Sequence, residues 1–257
     1  MRSTKCIRRL FLVTGLSMVA MVGICGCGDS PSLTQGQAIA EIEKLGGSVT
    51  VDEKSPDKPV VKVYLRGTKV TDAGLVHLKG LTKLQSLILT RTKVTGAGLV
   101  HLKGLTTLQT LDLYDTQVTD AGLVHLKGLT KLQTLVLGDT KVTDAGLVHL
   151  KGLTQLQSLY LMGTGVTDAG LAHIKGLTNL VTLWLGDTQV TDAGVVHLKG
   201  LIKLQSLALR RTKVTGAGLV HLKGLTQLKT LDLWGTQVTD VAVNKLKQSL
   251  PQCRITH

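Results

Sequence analysis

Leu132–Gln155 reads LQTLVLGDTKVTDAGLVHLKGLTQ. It is one copy of a 24-residue unit that also opens at Val60, Leu84, Leu108, Leu156, Leu180, Leu204 and Leu228, with nothing inserted between copies. A fixed period in this range marks a solenoid, because one copy is too small to bury an apolar face except against its neighbours. Composition agrees. Phe, Trp and Tyr total only six of 257 residues, too few for an ordinary globular core. Stacked Leu and Val serve in their place.

Within the unit, Leu132, Leu135 and Leu137 predict a short strand with Leu135 and Leu137 inward. Stacked copies of it make a parallel sheet with strands about 4.8 Å apart. Thr140 follows at the turn and is Thr in all eight copies. A buried turn leaves backbone groups that need partners, so a ladder of threonine hydroxyls is expected there. Thr143 is the expected N-cap of a short helix, with Asp144 in its positive first turn. Leu147, Leu150 and Leu153 are expected inward. Gly152 is expected to be the left-handed residue ending the helix, and Gly146 to allow close approach of neighbouring helices.

The unit, L-x-x-L-x-L-x-x-T-x-V-T-D-A-G-L-x-H-L-K-G-L-T-x, resembles the leucine-rich repeat, with Thr where the commonest version carries Asn. The resemblance covers Val60 to about Leu250. It implies an α/β solenoid, a horseshoe arc with a parallel β-sheet on its concave face and short helices on its convex face. It implies binding, most often of a protein partner, though fold alone does not settle function. The repeat is also similar to arrays in eukaryotic F-box ubiquitin-ligase adaptors. No F-box-like segment precedes it here and a signal peptide is expected instead, so that reading is set aside.

The flanks divide the rest. Residues 1–27 read as a secretory signal peptide: a basic start, the apolar run Leu10–Gly26, then Cys27. Its end, Ile24-Cys25-Gly26-Cys27, resembles the lipobox of bacterial lipoproteins, which implies lipidation of Cys27 after Gly26. Branched Ile24 makes Cys25 the poorer fit. A non-lipidated signal peptide and an uncleaved anchor helix are the alternatives, although seventeen residues interrupted by glycines are short for a span. Residues 28–34 are expected to be a tether. Gly28-Asp29-Ser30 looks like an esterase motif but lacks a supporting strand and helix. Residues 35–59 are expected to form an N-terminal cap of a helix (Gln35–Leu45), a strand (Ser48–Asp52) and a turn. Eight repeats fill 60–250, and residues 251–257 cap the end with an edge strand near Cys253 and Ile255. The expected location is exported, periplasmic or on the outer surface, tied to a membrane by lipid.

The net charge is +13, with Arg2, Lys5, Arg8 and Arg9 in the leader. The remaining 26 basic residues against 17 acidic ones leave +9, which favours solubility and loose attraction to polyanions. The export signal argues against nucleic acid. With one cysteine outside the leader there is no disulfide framework. A monomer is expected.

The copies differ where strand residues should face the concave surface, at positions three, five, seven and eight. All five aromatics beyond the leader fall there. The candidate binding residues are Tyr64, Arg66, Arg91, Asp112, Tyr114, Asp115, Asp139, Tyr160, Trp184, Asp187, Arg210, Asp232 and Trp234. Thr90 and Arg211 belong to the same rows. Aromatics on a wet face are the usual anchors of binding surfaces. The bland alternative is drift after duplication where packing constrains least, and the near-identity of Thr90–Gly96 and Arg210–Gly216 needs no more than block duplication. A glycan or cell-wall polymer is the second candidate ligand. Basic ends and an acidic middle suggest a partner of complementary charge.

Seven histidines recur every 24 residues, from His77 to His221, beside a parallel lysine row from Lys79 to Lys223. Metal sites need ligands converging on one point, and no Cys or carboxylate accompanies these at ligand spacing. An exposed, solvated helix face is the reading. No metal, no cofactor and no catalysis is expected, since no nucleophile, metal-protease or phosphate-cradling motif is present.

Overall fold

The computed structural model describes residues 33–257. The expected signal peptide, Cys27 and the tether as far as residue 32 lie outside the described residues. Thr34, read above as tether, caps the first helix, Gln35–Lys44: its hydroxyl accepts from Gln37 N–H, and the Gln37 side chain accepts from Thr34 N–H in return.

Ten strands follow among the described residues. They are β1 (Ser48–Val51), β2 (Val60–Tyr64), β3 (Ser86–Ile88), β4 (Thr110–Asp112), β5 (Thr134–Val136), β6 (Ser158–Tyr160), β7 (Thr182–Trp184), β8 (Ser206–Ala208), β9 (Thr230–Asp232) and β10 (Arg254–Thr256). They lie in one sheet in chain order. From β2 onward the pairing is parallel and in strict repeat register, so Thr134, Leu135 and Val136 face Ser158, Leu159 and Tyr160. β1 pairs antiparallel with β2 and ends the sheet on that side, and β10 ends it on the other.

Strict register stacks like on like. In the copy opened by Leu132, the side chains of Leu135, Leu137, Val142, Leu147, Leu150 and Leu153 are fully buried with it, and every other copy buries its equivalents except the last, where Val238 is half-buried and Ser249 exposed. Leu147, Leu150 and Leu153 are spaced by three. That spacing suits a 3-10 helix, where residues three apart eclipse, and Val148–Leu150 is 3-10 after one α-turn, Asp144–Leu147. Where Gly96 and Gly216 replace the aspartate, the α-turn is absent and only 3-10 segments, Gly98–Leu102 and Gly218–Leu222, remain.

Three local expectations change. First, the left-handed residue sits at position eight of the repeat, not at Gly152. Gly67, Arg91, Asp115, Asp139, Gly163, Asp187, Arg211 and Gly235 all have φ between 51° and 72°, whereas Gly152 has no such φ. The left-handed turn lets each position-eight N–H, from Gly67 to Arg211, donate to the position-seven carbonyl of the next copy, at 2.8–3.0 Å. The ladder thus continues past the strands. Second, the threonine hydroxyls serve their own turn. Thr140 Oγ1 donates to the Leu137 carbonyl at 2.6 Å, and its equivalents do the same in every copy. Third, the ladder between copies is built by aspartates. Thr143 N–H and O–H donate to Asp120 Oδ1 and Oδ2 at 2.7 and 2.6 Å. Asp144, Asp168 and Asp192 take Thr167, Thr191 and Thr215 in the same way, as Asp72 takes Thr95.

Thr143 is also the N-cap, accepting from Ala145 N–H at 3.4 Å. Gly146 now has a physical account: a methyl group there would collide with Asp120 Oδ1. The close approach is by the preceding copy's helix, Asp120–Leu123, through its first carboxylate above all.

Candidate partner-binding face

Side chains at positions three and five of each strand leave the sheet opposite the leucine core, and those at position seven follow them. Repeat register turns these positions into rows. The position-five row runs Tyr64, Ile88, Asp112, Val136, Tyr160, Trp184, Ala208, Asp232, Thr256. Thr90, in the position-seven row, is buried, 6% exposed, and offers a partner little surface.

The five aromatics form one stacked pair and three separate residues. Tyr160 and Trp184 are adjacent in register, with ring centroids 5.0 Å apart and planes at 82°, an edge-to-face pair. Such a pair is worth about 0.5–1.5 kcal/mol beyond its buried area. Trp184 Nε1–H points to Ser206 Oγ at 3.4 Å, and the ring stays 39% exposed. Trp234 is 49% exposed and lies under the Arg211 guanidinium, 4.5 Å from the ring centroid. Tyr114 donates its hydroxyl to Asp139. That bond to a carboxylate, then burial, holds the phenol above its ordinary range. Tyr64 is exposed at the far end.

The acidic middle is largely spent on internal partners. Asp187 pairs with Arg210 and Arg211, each at 3.4 Å. Asp115 lies 3.6 Å from Arg91. Asp112 and Asp232 accept from the N–H of Tyr114 and Trp234, two residues on. Exposed pairs of this kind are worth about 0–1 kcal/mol, so they order the face more than they stabilise it. Among the described residues Arg66 and Arg254 have no ion pair, leaving the basic ends as the unmatched charge.

The face is hollowed near its C-terminal end. Ala208 lies between Trp184 and Asp232 in the position-five row, and Gly186 between Met162 and Arg210 in the position-seven row. These small residues hollow a groove of about 540 Å³, rimmed by Trp184, Trp234, Arg210, Asp232, Arg254 and Thr256, with Ser206 and Thr230 also lining it. Of the candidates, Trp184, Arg210, Asp232 and Trp234 meet there. Tyr160 and Asp187 adjoin it through Trp184 and Arg210, while Tyr64, Arg66, Arg91, Asp112, Tyr114, Asp115 and Asp139 lie toward the other end. Sequence reasoning missed Arg254 and Thr256, which enter because β10 stacks Arg254 on Thr230 and Thr256 on Asp232.

The histidine row is half-buried, not exposed. Nδ1 of His77, His101, His125 and His149 is buried without a hydrogen-bond partner. Burial and then the preceding copy's lysine hold His101, His125 and His149 below the usual imidazole range. Among the described residues no cluster of His, Cys, Asp or Glu is arranged to hold a metal, and no helix is long and apolar enough to cross a membrane.

A family model described as "Leucine Rich repeat" matches residues 104–126 and 128–150. Internalin C2 from Listeria monocytogenes aligns with a TM-score of 0.60 at 26% identity, over 85% of this chain and 92% of that one. The chain folds as a leucine-rich-repeat solenoid. A leucine-rich-repeat protein of Leptospira interrogans aligns with a TM-score of 0.57 at 23% identity, covering 71% of this chain but only 45% of the Leptospira chain. The plant peptide hormone receptor RGFR1, solved in complex with RGF2, gives 0.52 at 17% identity over 80% of this chain and 40% of the receptor. A search of curated protein sequences gave no match. Leucine-rich-repeat proteins commonly bind protein partners and are typically scaffolds without catalytic activity.

Proposed function

We propose that this solenoid is a binding module of the bacterial cell envelope, and that a protein partner docks on its concave face with its anchor in the groove between Trp184 and Trp234. The observation that carries the reading is the pair of tryptophans, 39% and 49% exposed, flanking a hollow on the sheet face. Binding energy concentrates in such aromatic-lined hollows. RGFR1, whose structure is a complex with RGF2, lends the reading a precedent of fold only. Trp184→Ala should weaken binding of an envelope partner by about 2 kcal/mol or more, roughly thirty-fold, with the melting temperature nearly unchanged. Isothermal titration against a partner captured by the wild-type chain measures it. Unchanged affinity sinks the assignment.

The groove's Ser206, Thr230 and Thr256 hydroxyls, with Asp232 and Arg254 beside indole rings, favour a second reading, a glycan or cell-wall polymer. A glycan array separates the two. Export and lipidation at Cys27 belong to the same proposal, resting on the lipobox-like Gly26-Cys27. Cys27→Ser should release the chain from the membrane fraction, and a mutant that stays bound after salt washing would count against the lipid anchor.

A further inference from the structure

The lysine row opposite the sheet is unmatched in charge and flanked by exposed valines. Lys79 and its equivalents to Lys223 are all exposed, and none joins an ion pair among the described residues. The aspartates of the same copies form no ion pair with them: both carboxylate oxygens of Asp120, Asp144, Asp168 and Asp192 are engaged by threonines of the next copy. Three residues before each lysine in four consecutive copies stand Val76, Val100, Val124 and Val148, 38–40% exposed. Residues three apart share a face of a helical turn, so the valine and lysine rows run side by side along the solenoid. The glycine after each lysine keeps the ridge low: from Gly104 to Gly224 nothing lies within 4 Å of where its side chain would be.

We propose that this ridge is a docking surface for an anionic lipid bilayer. Interfacial surfaces of this kind combine an apolar strip, which enters the headgroup boundary, with cations that meet the lipid charge. A soluble polyanion would use the lysines and leave the valines wet, so the pairing of the two rows favours lipid. Each basic side chain held at an anionic surface adds about five-fold to partitioning, so a few contacts in the middle copies suffice. The concave groove would then face away from the membrane. The inference rests neither on that groove's ligand nor on Cys27.

The test uses the full chain on vesicles of phosphatidylcholine, with and without about a third phosphatidylglycerol, so that any membrane attachment through the leader is common to both. A water-soluble acetylating reagent is applied at low conversion and lysine modification is read by mass spectrometry. Lys103, Lys127 and Lys151 should react about five-fold more slowly on the anionic vesicles, while Lys62 on the sheet side keeps its rate. The double variant Val124→Ser/Val148→Ser, checked for an unchanged melting temperature, should lose at least half of that protection. Equal rates on both vesicle types overturn the proposal. So does equal protection by polyglutamate in solution that the serine variant leaves intact, which would make the ridge a general polyanion surface.

Discussion

The flank and the sheet face of this solenoid obey one register but use it differently. On the flank, five aspartates from Asp72 to Asp192 each satisfy the threonine of the next copy with both oxygens, and the link is missing only where Gly96 and Gly216 stand in their place and at Asp240. On the sheet face, side-chain contacts also join neighbouring copies, but they differ from one interface to the next: Tyr160 on Trp184, Arg211 on Trp234, Tyr114 to Asp139. Both kinds enter the interface term of a nearest-neighbour stability model, but only the first recurs along the stack. The second kind can change without disturbing the stack, which is the freedom a binding surface needs.

The largest effect should come from breaking the flank. Asp144→Ala removes two charge-assisted hydrogen bonds and leaves Thr167 N–H without its acceptor. A loss of about 2–3 kcal/mol is expected, read by urea unfolding. Asp240 fills the same position in the last copy but has no following threonine; it is exposed and meets only His257. Asp240→Ala should move the midpoint little. Similar losses in the two variants would mean the aspartate acts on its own turn, and the distinction between recurring flank and variable face would fail.

Much of the fold was legible because one period governs it. Leu135 and Leu147 announce their burial by recurrence alone. The aspartate ladder was not legible, since Asp144 also suits a helix's first turn, and only the stacked register shows that its partner is Thr167. A hint lay in the Asp-Ala-Gly triplet, because Gly170 leaves room for the carboxylate of Asp144. The site was half legible. Position in the repeat placed Trp184 and Trp234 on the outer face, but the hollow between them depends on the small residues Ala208 and Gly186 and on β10, which lies outside the repeat pattern. The pairing of Asp187 with Arg210 and Arg211 was not legible either, because they are a whole copy apart.

Next in size is the turn. Thr140→Val keeps shape and strands the Leu137 carbonyl, whose hydroxyl partner lies at 2.6 Å. A cost of about 1–2 kcal/mol is expected for a buried group left unpaired. Thr134→Val, half-buried on the sheet face and β-branched like the residue it replaces, should cost almost nothing. Equal melting temperatures would remove the reason for threonine in every copy.

The smallest effect separates two glycines that nothing touches. Both Gly67 and Gly152 would carry a methyl group with no atom within 4 Å, so packing cannot distinguish them. Backbone does. Gly67 has φ of 68°, where an L-residue costs about 1–2 kcal/mol. Replacing glycine by alanine also restricts the unfolded chain, a gain of about 0.4–1 kcal/mol. For Gly67→Ala the strain outweighs that gain, and a net loss of roughly 0.5–1 kcal/mol is expected. For Gly152→Ala no strain arises and only the gain remains, about 0.4–1 kcal/mol of added stability. Opposite shifts in the urea midpoint are therefore the expected result. Shifts of the same sign would mean that position eight can relax out of the left-handed region. The N–H of Gly67 would then no longer have to meet the Thr90 carbonyl of the next copy, and the ladder that carries register from the sheet into the turn would be dispensable.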